Sequence, residues 1–158
     1  SPSHLSNYKF TVKVTRSTRS HVFLGFCTPS RDLRTYVGGD SHGWGCIGTG
    51  ALWHGRQKVR EGYGATWGEG DVVTCYLRDG DIGYEVNGVD YGIAFEHVGK
   101  KERRLQPAIG LYQKDDEVKV VEYDDRKEGK WNEDEWEGTI RAVLEGADGG
   151  EEVKEKIV

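Results

Sequence analysis

The stretch GDVVTCYLRDGDIGYEVNGVDYGIAF, residues 70–95, leaves the chain little choice of architecture. It holds two tight turns, Arg78-Asp79-Gly80-Asp81 and Asn87-Gly88, between three runs of alternating residues. Asn-Gly is a strong hairpin signal, because a two-residue type I′ turn needs positive φ at both central positions. Gly80 gives the first turn the same freedom. In DVVTCYL, Val73, Cys75 and Leu77 point one way and Val72, Thr74 and Tyr76 the other. Ile82, Tyr84 and Val86 share a face in the next run, and Val89, Tyr91, Ile93 and Phe95 in the third. Period-2 alternation is the mark of a half-buried strand. The segment therefore reads as a three-strand antiparallel meander, a scaffold that leaves function to the loops.

Strand signals dominate up to Tyr123. YKFTVKV (Tyr8–Val14) alternates cleanly, and HVFLGFCT follows a polar RSTRS loop. Residues 30–43 are loop-like, with Leu33, Tyr36 and Val37 embedded in polar and glycine-rich surroundings. WGCIGTGALWH fits a strand with close backbone approaches, and GRQKVREGYGATWGEG reads mostly as loop. LQPAIGLY (Leu105–Tyr112) and EVKVVEY (Glu117–Tyr123) are two more strands across a charged turn. Short strands with frequent turns and no βα alternation predict an all-β sandwich. Helix is expected only in WNEDEWEGTIRAVLEG, where Asn132 and Glu135 form a capping box. Trp136, Ile140, Val143 and Leu144 fall on one helical stripe there, and Gly146 ends it.

A length of 158 residues suits one domain with a real core. Apolar residues make up 35% and charged residues 31%, a globular but polar balance. No run of ~18 apolar residues is present to span a membrane. The sequence contains no Met, so we expect a fragment of a larger protein, with residues 1–7 a tag remnant or linker. The sandwich is expected over 8–125, an acidic segment with an amphipathic helix over 126–146, and a disordered tail over 147–158. Residues 115–158 carry 16 Asp/Glu against 7 Lys/Arg, and residues 1–114 carry 11 against 15. Neither balance names a nucleic-acid or membrane partner. Cys27, Cys46 and Cys75 are odd in number and make no C-x-x-C pair. They read as free buried thiols in a reducing compartment, cytoplasmic or nuclear, with no zinc site and no cofactor.

Taken in order, YKFTVKV…VFLGFCTPS, GWGCIGTGALWH, YGATWGEGDVVTCYL, IGYEVNGVDYGIAFEHV, LQPAIGLY and EVKVVEY resemble a SPRY domain from Tyr8 to Tyr123. The combination of GD before an apolar strand, an NG hairpin, G-I-A-F and L-x-P-A carries the resemblance. It implies a bent, antiparallel, concanavalin A-like β-sandwich with a short C-terminal helix added here. It further implies a non-catalytic protein-interaction module, often the targeting arm of an adaptor or ubiquitin ligase. The L-D-P and W-E-V-x-V motifs of the tripartite-motif group are absent, so the chain is similar to the SPRY-only type of Ran-binding-protein and SOCS-box adaptors. In the SOCS-box group a strand before the one matching Tyr8–Val14 gives an Arg and a Pro to a peptide pocket, and only seven residues precede it here. Other pocket positions map by the resemblance to Leu33 and Tyr36, and to Tyr112 or Gln113, with Arg34, Val37 and Tyr63 as neighbours. Such aromatic anchors suit a protein or peptide partner.

Other chemistries read less well. His4, His21, His42, His54 and His97 match no metal or protease spacing. Cys46 with His42 or His54 would make a nucleophile pair only with the right geometry. Glu61 and Glu69 flank a glycine-rich loop and read as solvated charges rather than a glycosidase pair. Trp53, Tyr63 and Trp67 offer rings for sugar stacking. The basic loops Gly99–Arg104 and Arg16–Ser20 could meet phosphates but lack interleaved aromatics. A carbohydrate or nucleic-acid ligand is thus the alternative to a protein partner.

Overall fold

Two sheets face one another in a computed structural model that describes residues 7–102, 104–124 and 141–144. Strand β1 (Tyr8–Arg16) is followed by β2 (Val22–Cys27), β3 (Gly43–Ile47), β4 (Leu52–His54) and β5 (Gln57–Arg60). The meander is β6 (Val72–Arg78), β7 (Asp81–Val86) and β8 (Val89–Phe95). A one-turn helix, α1 (Val98–Lys101), leads to β9 (Gln106–Leu111), β10 (Glu117–Asp124) and β11 (Arg141–Leu144). One sheet has the order β10-β1-β6-β7-β8 and the other β11-β9-β2-β3-β4-β5. All pairings are antiparallel except β11 on β9. The expected all-β sandwich is what forms.

The alternation read in the sequence puts the same residues inside. Phe10, Val12 and Val14 of β1 and Val73, Cys75 and Leu77 of β6 are buried from one sheet. Val22, Leu24 and Phe26 of β2 and Ile109 and Leu111 of β9 meet them from the other. Each such aliphatic side chain contributes about 1.5–3 kcal/mol by leaving water. Phe10 and Phe26 cross between the sheets edge to face, with ring centroids 5.6 Å apart. The Tyr84 hydroxyl of β7 donates to the Leu24 carbonyl of β2 at 2.8 Å, a polar tie through the core.

Both meander turns have positive φ at both central residues: Asp79 (53°) and Gly80 (89°), then Asn87 (50°) and Gly88 (84°). That geometry matches the right-handed twist of the flanking strands. Three expectations change. Val89 and Ile93 of β8 are 55% and 49% exposed, not part of the inward face. Register shifts along β7–β8, with Gly92 at φ 82°, break the alternation on this edge strand. Gln57–Arg60, read as loop, pairs with β4 through a turn at Gly55-Arg56, both at positive φ. The C-terminal helix is corrected where the structure describes that region: Arg141–Leu144 are a strand, held by backbone pairing to β9 that local periodicity does not encode. The rest of that helix, and the tail over 147–158, lie outside the described residues.

Candidate functional site

The connection from β2 to β3, residues 28–42, is tied down along its length. The Thr28 N–H donates to the His42 carbonyl at 2.8 Å. The Asp40 carboxylate accepts from the Asp32 and His42 N–H groups, each at 2.9 Å. The Arg56 N–H donates to the Gly38 carbonyl at 2.9 Å and the Gly55 N–H to the Asp40 carbonyl at 2.9 Å, so the β4–β5 turn grips the far end. A loop held this way presents its side chains without having to order on contact.

Glycines explain why the loop lies flat on the outer face of its sheet. A Cβ on Gly45 would collide with the Val37 carbonyl, and one on Gly43 would sit 2.9 Å from the Gly38 nitrogen. One on Gly110 would lie 3.2 Å from the Phe23 Cβ and 3.6 Å from a Val37 methyl. These bare positions form a trough, and Val37, 0% exposed, fills it. Val37 groups with Phe23, Cys27 and Ala108 in a small second core, against which Tyr36, Trp53 and Tyr112 pack. Val37 therefore supports the surface from below and offers none of its own, a correction to its expected place at a partner.

Above it lies an aromatic surface. The Tyr36 ring stacks on Phe23 at 5.0 Å and 29°, and meets Trp53 edge-on at 5.4 Å and 82°. Lys58 Nζ sits 5.7 Å from the Trp53 ring centroid. Tyr112 packs edge to face on His21 at 5.3 Å, and Gln113 Nε2 is 3.4 Å from His21 Nδ1. Leu33 and Tyr36 are half-buried, and Arg34, beside Asp32 at 3.3 Å, has its side chain 81% exposed. Two backbone and side-chain N–H bonds from Arg34 hold the Asp32 carboxyl below its usual value. Tyr36 and Tyr112, distant in sequence, thus share one small core, with Leu33 and Arg34 on the same loop as Tyr36.

Tyr63 belongs elsewhere. It is 7% exposed in the main core, packs on Tyr84, donates its hydroxyl to the Gly92 carbonyl, and lies under Arg60. Its expected role at a partner is corrected to a structural one, because its ring and hydroxyl are both engaged inside. Sequence reasoning missed His21. The signal was there: His21 and Phe23 are two residues apart and so share the outer face.

The competing chemistries meet the same geometry. Burial pushes the Cys46 thiol up to about 12, which removes a thiolate at neutral pH. His42 engages Thr28 Oγ1 at 3.2 Å, and His54 engages the Gly43 carbonyl at 2.8 Å while stacking on Trp44. Glu61 pairs with Lys58 at 2.8 Å, and Glu69 accepts from the Ser17 N–H at 3.1 Å. Trp67 is buried with Tyr63, so only Trp53 of the three candidate rings reaches the outer aromatic surface.

The family model of the SPRY domain matches residues 7–125. The chain belongs to the SPRY family. A Drosophila melanogaster protein described as a Ran-binding proteins 9/10 homolog is 28% identical over 120 residues, 74% of this chain. The SPRY chain spans 12% of that relative's length. A crystal structure of a human SPRY domain superposes with a TM-score of 0.63 at 20% identity, covering 76% of this chain and 77% of that one. The SPRY domain of human HERC1 superposes at 0.57 with 19% identity, covering 78% and 77%. At such identities these two likenesses are likenesses of fold. SPRY domains are generally non-catalytic protein-interaction modules. No helix among the described residues is long and apolar enough to cross a membrane.

Proposed function

We propose that this SPRY domain recognises an extended segment of a protein partner with the surface built by Leu33, Arg34, Tyr36, Tyr112 and Gln113. The observation that carries the reading is Tyr36: a half-exposed aromatic stacked on a buried Phe23, on a loop stapled at both ends. Rigid aromatic anchors give contact area at low entropic cost. The domain acts as the targeting part of a larger cytoplasmic or nuclear adaptor, of the kind that serves ubiquitin ligases.

A displayed peptide library panned on the intact chain tests this. A selected peptide is expected to lose about 30-fold or more in affinity with Tyr36→Ala, matching ~2 kcal/mol for a dominant anchor. Ile93→Ala, on the exposed edge strand β8, is expected to leave binding unchanged. Affinity should change little with salt, unlike a phosphate contact. Selection of peptides indifferent to Leu33, Tyr36 and Tyr112 changes would place the site elsewhere.

A further inference from the structure

The outer edge of β9 has an occupant that is unusual for this fold's own pairing rules. Residues 141–144 run parallel to β9, in the register Arg141↔Ala108, Ala142↔Ile109, Val143↔Gly110 and Leu144↔Leu111. The other edge of β9 pairs antiparallel with the whole of β2, from Val22↔Leu111 to Cys27↔Gln106. Both faces of β9 are already covered: Ile109 and Leu111 sit in the main core and Ala108 in the second. Pro107, which has no N–H to donate, lies one residue before the stretch paired with 141–144. Only the outer backbone row is left to offer, and an open row of N–H and C=O groups beside apolar residues is a template for another strand. The strand that fills it comes from a distant part of the chain, since residues 125–140 separate it from β10.

We propose that the β9 edge is a strand-docking site, with residues 141–144 as its resident occupant in cis. The site takes a partner's extended apolar segment that runs parallel to β9, and such a segment competes with the resident strand. Four residues in parallel pairing make few backbone bonds, and parallel pairing is slightly weaker per residue than antiparallel. The resident strand is therefore held to β9 by a short pairing of four residues. Main-chain bonds supply the affinity in this recognition mode, and alternate side-chain positions supply the selection. The selected positions are those level with Ile109 and Leu111, held by Ala142 and Leu144 in the resident strand. This edge is a backbone row of β9 that ends at Leu111, one residue before Tyr112 of the aromatic surface.

The test uses the full chain and a fluorescent peptide, TIRAVLEG, which repeats residues 139–146. Ala142→Pro with Val143→Pro disables the resident strand and leaves β9 intact. The double variant is expected to bind the peptide at least ten-fold more tightly than the unaltered chain, and a peptide with prolines at the same two positions is expected not to bind. Equal affinity of the two chains, or equal binding of both peptides, overturns the proposal. A concentration-dependent dimer of the double variant that excludes the peptide would assign the edge to a second copy and also overturn it. Should the variant fail to fold, amide exchange on the unaltered chain decides. Residues 141–144 are expected to exchange at least ten-fold faster than Val22–Cys27, and exchange at the same rate would mark a fixed strand and overturn the displacement.

Discussion

Arg31 is 5% exposed, yet no carboxylate lies within ion-pair distance of it among the described residues. Its Nη2 donates to the Thr35 carbonyl at 2.7 Å, while Nε and Nη1 meet no acceptor. A buried guanidinium with no ion pair and only part of its N–H groups bonded costs stability, and an apolar side chain of similar volume often does as well or better. Arg31→Met is expected to leave stability unchanged or raise it by up to about 1 kcal/mol in urea unfolding. A loss of more than about 2 kcal/mol would mean that the Thr35 bond outweighs the desolvation. Asp116 offers the complementary case. Burial pushes its carboxyl above the ordinary value of 3.8, opposed by the Gln113 N–H that it accepts at 2.9 Å. With the folded value raised, the contribution of the protonated group is complete below the unfolded value and is lost as pH rises through the folded one. Asp116→Asn should therefore gain most over the unaltered chain at pH 7 and lose that advantage near pH 3, as read by denaturation at both pH values. At this scale the sequence was partly legible. It showed Tyr36 and Tyr112 as candidate anchors through the resemblance, but nothing local distinguishes a half-buried Tyr36 from a fully buried Val37 one residue on.

Among the elements, β1 and β6 carry a polar pair that alternation alone assigns to the outer face. Thr11 and Thr74 are directly opposite, both buried, with hydroxyls 2.7 Å apart. Removing one hydroxyl orphans the other, which costs about 1–3 kcal/mol, whereas removing both is nearly neutral. Thr11→Val and Thr74→Val are each expected to destabilise by about 1–2 kcal/mol, and the double variant by less than either. Additive losses in a double-mutant cycle would show the hydroxyls acting independently. Element identity was legible wherever alternation was regular, as in β1, β6 and the turn at Asn87-Gly88. In β8 the strand was legible but its inward face was not, because a glycine at positive φ and register shifts turn Val89 and Ile93 outward. Element identity failed at 141–144, where apolar spacing fits a helical stripe while the backbone pairs with β9.

For the whole molecule, the cysteines report how cooperatively the two sheets come apart. Cys46 points inward from one sheet and Cys75 from the other, and burial raises both thiols. Neither can react without opening the sandwich, since the thiolate is the nucleophile and both are shielded. Labelling by a water-soluble disulfide reagent at pH 8 should modify Cys46 and Cys75 at one common rate equal to that of global unfolding. Faster labelling of either would reveal a local opening and divide the core into separate units. A single rate fits the Tyr84 hydroxyl bond to Leu24 and the Phe10–Phe26 contact, which join the sheets through the same interior.

By itself the sequence determined most of the strands, the inward faces of β1 and β6 and the two meander turns, because side-chain period and positive-φ residues act over a few positions. Only the tertiary structure decided that glycines on β3 and β9 make a trough for Val37. The same holds for Tyr36 and Tyr112 meeting on one small core, and for the β9 edge closed by residues 141–144. Those outcomes depend on which strands become neighbours, and contacts between residues far apart in the chain leave no local period to read.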